Sequence, residues 1–245
     1  MEGKKYTART GFFDGLSIAF AYFPVAFAFG LFAVAQGLTP WQTVLISMLN
    51  VTSAGQLASV PIFVGTGTYL EMALTQFMIN LRYALTSITL SQKLDKDIKL
   101  LDRYAIGFMN TDEVFGVCAE KEGKLSREYL YSLISPPYLG WTLGTVFGAY
   151  AGTLLPIFIV SILGFAVYGM FFSILLPAAK KNKNVFLCEV LSGIISCVIF
   201  YVPALSFISS GFRIIITATM ASALIALFFP IPIKTEDDGE VKCNE

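Results

Sequence analysis

Residues 78–86 read MINLRYALT and place Asn80 and Arg82 inside a run, residues 69–92, that is otherwise apolar enough to cross a bilayer. An arginine at membrane depth costs between about 2.5 and 17 kcal/mol, depending on the scale used. Such a side chain persists only where the protein, or a molecule that it carries, neutralises the charge. The stretch therefore predicts a membrane protein with a polar interior.

The composition of the whole chain agrees with a membrane location. Of its 245 residues, 56% are hydrophobic and 14% are charged, whereas soluble domains have about 25% charged residues. Separate apolar runs of about 20 residues predict a polytopic α-helical protein. The chain contains no histidine, which excludes histidine-activated nucleophiles and the HExxH type of zinc site. We therefore predict that it is not an enzyme and uses no cofactor or metal.

We predict an all-α polytopic membrane protein with about seven hydrophobic segments, namely five full spans plus two broken or re-entrant hairpins. The hairpins are residues 41–64, interrupted by NVTSAGQ at 50–56, and residues 104–119, which contain NTDE at 110–113. A single membrane-embedded transporter domain covers residues 1–232, and residues 233–245 form a flexible polar cytoplasmic tail. The alternative is a plain bundle in which all seven segments cross the membrane.

The positions of lysine and arginine favour the hairpins, because basic loops stay on the cytoplasmic side. If both odd segments re-enter, the basic connectors 93–103 and 120–128 and both termini all lie in the cytoplasm. If every segment crosses, connector 93–103 lies outside. Non-helical backbone at membrane depth is tolerated where it lines a cavity, and secondary transporters build their sites from such broken helices. We expect a bacterial cytoplasmic membrane location with both termini cytoplasmic.

Asn80 and Arg82 bracket a broad polar sector of the third segment. One interpretation is a cavity-lining helix whose Arg82 meets a carboxylate of the substrate or of the protein. The other is a structural ion pair, or a guanidinium that extends toward the inner interface.

The sequence TDE at residues 111–113 supplies two adjacent carboxylates, Asp112 and Glu113, in an apolar surrounding. In a partly dry site each is a candidate proton carrier. Alternatively, the segment lies at the cytoplasmic interface with both acids solvated. Arg82 is a plausible partner for either one if the hairpin reaches into the bilayer.

The break at residues 50–56 supplies uncharged polar groups and a glycine that allows unwound backbone. A helix N-terminus exposed at such a break attracts a carboxylate. The alternative is that its small residues only pack helices together. With the third segment, the candidate substrate-binding residues are Asn50, Thr52, Ser53, Gly55, Gln56, Asn80 and Arg82.

Two features predict helix packing and say nothing about chemistry. The run GWTLGTVFGAYAG spaces four glycines four residues apart, which favours close contact with another helix of the chain or with a partner subunit. Pro24 is expected to kink the first segment. These packing residues are Pro24, Gly140, Gly144, Gly148 and Gly152.

Five stretches, in order, resemble the AzlC family, the large subunits of bacterial branched-chain amino acid exporters, named for azaleucine resistance. They are YFPVAFAFG at 22–30, SAGQ at 53–56, NLR at 80–82, TDEVF at 111–115 and GTVFGAYAG at 144–152. The resemblance implies export of valine, leucine and isoleucine, together with a small membrane subunit of the AzlD type. The chain departs from the family pattern at Ser53 and Gly55, which shift the glycine of the turn, and at Tyr83, where histidine is common.

We therefore expect a secondary transporter that exports branched-chain or similar hydrophobic amino acids and is coupled to protons. Arg82 and the 50–56 break would hold the substrate carboxylate or organise the cavity, and Asp112 or Glu113 would exchange the proton. The expected partners are the small subunit, the amino acids and the lipid bilayer, with no nucleic acid. Two alternatives are a passive channel for small solutes and a membrane scaffold subunit that transports nothing.

Overall fold

Helices account for nearly all of the backbone in the computed structural model, which describes residues 6–65, 67–156, 182–205 and 207–229 and some positions between 158 and 180. Within these residues the only β-pairing is one bridge between Leu94 and Leu125, which confirms the all-α class. The α-helices are α1 Ala8–Ala35, α2 Pro40–Leu49, α3 Ser53–Val64, α4 Tyr69–Asn80, α5 Arg82–Lys93, α6 Leu100–Phe108, α7 Asp112–Glu120, α8 Arg127–Leu154, α9 Lys183–Tyr201 and α10 Ser210–Phe228.

Three described helices, α1, α9 and α10, are long and apolar enough to cross a membrane. The prediction of a helical membrane protein therefore agrees with the structure, while the count of seven segments stays a prediction. An odd number of membrane crossings, such as the five predicted, places the two termini on opposite faces. The prediction of five full spans is therefore incompatible with the prediction that both termini are cytoplasmic. The predicted tail and most of the apolar run 155–178 lie outside the described residues.

The chain divides into two compact units. The first contains residues 1–173 and 210–212, and the second contains residues 174–209 and 213–245. In the second unit, α9 ends at Tyr201 and a short 3₁₀ turn, Pro203–Leu205, follows it. All of the predicted site residues belong to the first unit.

The first unit is built on two long helices, α1 and α8, which pack side by side in parallel. Their close approach comes from the predicted glycine face, because a methyl group added at Gly140, Gly144 or Gly148 would collide with backbone of α1. Only Gly152 has room for ordinary contact. The glycine face therefore packs within the chain, which decides between the two partners left open above. Helix α1 continues through Pro24, and the expected kink stays a prediction.

One end of this helix pair is held by a polar cluster that we call the basic end, formed by Lys121, Asp14, Tyr129 and Tyr6. The Lys121 ammonium lies 2.9 Å from Asp14 Oδ2, and the Tyr129 hydroxyl donates to the same oxygen at 2.8 Å. The backbone N–H of Glu122 donates to the Tyr6 hydroxyl at 3.0 Å. At 1.5 Å per residue, the opposite end of α1 is about 40 Å away.

The third segment is not one continuous helix. Helix α4 ends at Asn80 and α5 begins at Arg82, with Leu81 between them in helical conformation (φ −55°, ψ −34°). The hydrogen-bond ladder is thus interrupted inside the NLR motif. We expected an unbroken span over residues 69–92, and the interruption lies between the two polar residues on which that expectation was built.

Candidate functional site

The first hairpin consists of α2 and α3, and its tip is residues 50–52 (the first tip). It begins at the end of α1 that is remote from the basic end, because Leu38 and Val60 share a core cluster with Phe29 and Ala33. A capping box of Thr39 and Gln42, with proline at the first turn, starts α2. At 10 and 12 residues, the two helices are about 15 and 18 Å long. Neither is long enough to cross a hydrocarbon layer of about 30 Å.

The second hairpin consists of α6 and α7, and its tip is residues 109–111 (the second tip). It begins and ends at the basic end, because the Asp95 N–H donates to the Leu125 carbonyl and the Leu125 N–H donates to the Lys93 carbonyl. The Lys93 ammonium also donates to three backbone carbonyls at the end of α7, those of Cys118, Ala119 and Lys121. The two hairpins therefore enter the unit from opposite ends.

Both tips lie near the middle of α1, at Tyr22. The Tyr22 hydroxyl lies 2.7 Å from Thr111 Oγ1 and 2.5 Å from Glu113 Oε2. Val51 of the first tip belongs to the same buried core cluster as Tyr22. The Trp141 ring meets the Tyr22 ring edge-on at 5.2 Å. A buried tyrosine thus anchors the second tip to the α1–α8 pair.

Arg82 forms an ion pair with Asp112, at 2.6 Å between Nη1 and Oδ2. Both side chains are about half exposed, at 53% and 45%. The Arg82 Nη2 also donates to the Tyr83 hydroxyl at 3.2 Å, and that hydroxyl donates to Thr52 Oγ1 at 3.5 Å. The arginine therefore contacts the second hairpin directly and the first tip through Tyr83.

Gln76 on α4 is the centre of the polar contacts at the first hairpin. Its Oε1 accepts from the side-chain amides of Asn50 at 2.9 Å and Asn80 at 3.2 Å. Its Nε2 donates to the Gly55 carbonyl at 2.8 Å and to the Ser59 hydroxyl at 2.9 Å. A Cβ at Gly55 would lie 2.6 Å from Gln76 Oε1, so the glycine is needed for this approach.

A cavity of about 560 Å³ opens beside this amide cluster. Polar side chains in its wall include Asn50 of the first tip and Gln76 and Asn80 of α4. The remaining wall is mostly aliphatic or aromatic: Leu38, Leu45, Ile46, Leu49, Phe63 and Met72. The cavity is therefore lined mainly by apolar side chains and by a few groups that can form hydrogen bonds.

The N-termini of α3 and α7 differ in how they are satisfied. The Thr111 hydroxyl caps α7 by accepting from the Val114 N–H, and two acids lie in the first turn of that helix. Thr52 precedes α3 without a side-chain capping bond, and the first turn of α3 has no acid. The fully buried Gln56 side chain makes no hydrogen bond with any described part of the protein. The N-terminus of α3 is thus left without a counter-charge.

The structure brings most of the predicted site residues into two groups. Asn50, Gly55 and Asn80 meet at Gln76, whereas Arg82 meets Asp112 and, through Tyr83, Thr52. Ser53 is the first residue of α3. Gln56, which was predicted to belong to the same site, is fully buried and makes no hydrogen bond to Arg82.

Several of the connecting residues were not among the predicted site residues. Gln76 lies four residues before Asn80 on the same face of the helix, and that spacing was the available signal. Asn110, at the second tip, is buried and donates to Ser87 at 2.9 Å. Within the described part of the chain, no three Cys, Asp or Glu side chains lie close enough together to hold a metal ion.

Comparison with known proteins gives three findings. The family model described as AzlC protein matches residues 17–155. The chain is 27% identical over 205 residues to the inner membrane protein YgaZ of Escherichia coli, which covers 80% of this chain and 84% of that protein. It is 31% identical over 174 residues to an uncharacterized membrane protein of Archaeoglobus fulgidus, covering 70% and 76% of the two chains. No solved structure matches.

Proposed function

Because the chain belongs to the AzlC family of membrane proteins, we propose that it is a secondary transporter that exports branched-chain or similar hydrophobic amino acids. The direction is outward across the cytoplasmic membrane, and transport is coupled to protons. A small membrane subunit of the AzlD type works with it. Family membership and the membrane-spanning helices support a role in membrane transport, and the cavity at the first hairpin supports the choice of substrate.

The cavity is the observation that carries this proposal. Its volume of about 560 Å³ lies within the range of about 300–1,000 Å³ that is usual for small-molecule sites. Leu45, Ile46 and Met72 form a wall suited to a branched aliphatic side chain. The amides of Asn50 and Asn80 also line the cavity, where they can bond the polar backbone of an amino acid.

The carboxylate of that amino acid would lie at the N-terminus of α3. A helix N-terminus carries about half a positive charge and unpaired N–H groups. Neither an acid nor the Thr52 hydroxyl uses those groups here. Gly55 lets the Gln76 and Asn50 amides pack against this turn, because a Cβ there would collide with Gln76 Oε1. Arg82 is paired with Asp112, so in this proposal it organises the cavity and joins the two hairpins.

The contacts of the two hairpins support a transport pathway whose two halves, one from each side of the membrane, meet near its middle. Two hairpins enter from opposite ends, and their tips meet at Tyr22 and Arg82. Short helices that break inside the membrane form the substrate sites of secondary transporters. Asp112 and Glu113, next to the second tip, supply carboxylates for proton exchange.

The test is counterflow of labelled leucine, valine and methionine in proteoliposomes, with and without a co-expressed small subunit. We expect accumulation of labelled leucine, and we expect Met72→Trp to reduce it strongly because indole fills the cavity. The matched control is Leu74→Trp, which adds the same bulk on the same helix at a 38% exposed position that does not line the cavity.

Two results would contradict the proposal. Equal inhibition by the two tryptophan variants would show that the cavity does not hold the amino acid. Flux that is insensitive to an imposed pH gradient would favour the passive channel.

A further inference from the structure

Asp112 and Glu113 are neighbours on α7 and have different partners. We propose that Glu113, held by Tyr22, is the group that binds and releases the transported proton, whereas Asp112 stays ionised against Arg82; this assignment rests on the proposed function. Asp112 lies 2.6 Å from a guanidinium nitrogen. Glu113 lies 2.5 Å from a neutral phenol.

The charges around the second tip favour Glu113 as the group that changes its protonation state. The groups there are Tyr22 from α1, Arg82 and Tyr83 from α5, and the two acids of α7. Helix α8 contributes no charge at this depth, because its charged residues lie in its first turn. The Arg82–Asp112 pair sums to zero, so an ionised Glu113 leaves one uncompensated negative charge. Such a charge is costly inside a membrane, and a single proton removes it.

Asp112 is poorly suited to carry the proton. Protonating it would leave Arg82 without its counter-ion, and removing one partner of an ion pair in a membrane interior is strongly unfavourable. Arg82 also bonds the Tyr83 hydroxyl that reaches Thr52. Loss of the pair would therefore also disturb the contact between the two hairpins.

Tyr22 can serve both protonation states of Glu113 without moving. When Glu113 is ionised, the phenol O–H donates to the carboxylate. When Glu113 is protonated, its O–H donates to the phenol oxygen, and the phenol turns its own hydrogen toward Thr111 Oγ1, 2.7 Å away. The Glu113 side chain is not enclosed by the protein, which leaves a route for the released proton.

The experiment uses inverted membrane vesicles from cells that co-express the full chain and a small subunit of the AzlD type. Two quantities are measured: leucine exchange at equal pH on both sides, and leucine accumulation driven by an acidic vesicle interior. For Glu113→Gln we expect exchange to persist and gradient-driven accumulation to fall to background. For Asp112→Asn we expect both to be lost. Equal amounts of each variant in the membrane and a single gel-filtration peak in detergent verify folding.

Tyr22→Phe tests the positioning role of the phenol. The ionised carboxylate loses a hydrogen-bond donor, so the pH midpoint of leucine exchange should move to higher pH, by about one unit. Gradient-driven accumulation should remain. If Glu113→Gln does not fold, Glu113→Asp replaces it; it keeps a titrating group and should retain coupling with a shifted midpoint.

Three results would overturn the assignment. Gradient-driven accumulation by Glu113→Gln at the wild-type level removes this carboxylate from proton transfer. Parallel loss of exchange and accumulation in that variant assigns it to substrate binding or to structure. Wild-type vesicles that exchange no leucine overturn the proposed function itself, and the assignment falls with it.

Discussion

The first tip, residues 50–52, and the second, residues 109–111, share a backbone plan, since each ends a short helix and begins another near the middle of α1. Their chemistry differs. An uncharged turn follows the first tip. The tip is held by a hydrogen bond from the Asn50 amide to Gln76. The second tip is followed by Asp112, which pairs with the Arg82 guanidinium, and by Glu113, which accepts from the Tyr22 phenol.

This difference separates two tasks that a coupled exporter must perform. A helix N-terminus attracts negative charge. At the N-terminus of α7, Asp112 and Glu113 supply that charge, whereas the first turn of α3 contains no acid. In the proposed function, the substrate carboxylate therefore belongs to the first hairpin and the proton to the second.

The largest expected effect comes from breaking the ion pair at the second tip. Arg82→Ala and Asp112→Asn should each reduce amino acid efflux from loaded vesicles to background, because each leaves one unpaired charge at membrane depth. The double variant Arg82→Gln with Asp112→Asn removes both charges and should recover part of the efflux. Wild-type efflux from either single variant would remove the pair from the mechanism.

A smaller effect is expected from a matched pair of glycines, one in each hairpin. In Gly55→Ala the new methyl group would press on Gln76 Oε1 and Thr52, whereas in Gly107→Ala on α6 it would meet open space. Leucine counterflow should fall several-fold in the first variant and remain unchanged in the second. Equal losses would mean that both hairpins are merely sensitive to added bulk.

The smallest effect concerns the two threonines that precede α3 and α7. Replacing a capping threonine costs about 1 kcal/mol of stability. Thr111→Val should therefore lower the thermal unfolding midpoint in detergent, because Thr111 caps α7. Thr52→Val should lower it less, because Thr52 makes no capping bond. The reverse order would show that the first tip is the capped one.

The class of the fold could be predicted from the sequence, because long apolar runs and two polar interruptions are local features. The pairing of Arg82 with Asp112 was among the expected contacts, since few charges exist at that depth. The interruption at Leu81 could not be predicted, because LRYALT contains no proline or glycine to break a helix. The position of Gln56 depends on how the first hairpin packs, and no local pattern shows it.

Tyr22 illustrates the remaining limit. In the sequence it is one aromatic residue among many, followed by FPVAFAFG. Its role appears only when the second hairpin brings Thr111 and Glu113 to the middle of α1. Contacts between elements that are about 90 residues apart in the chain depend on the tertiary arrangement.

Helices α5 and α7 run in parallel and are joined at both ends. Arg82 holds the first turn of α7 through Asp112, and Lys93 holds its last carbonyls. These two sets of contacts are about 16 Å apart along α5, which restricts sliding or tilting of one helix against the other. In the proposed transport cycle we therefore expect α5 and α7 to move together, with α2 and α3 moving relative to them.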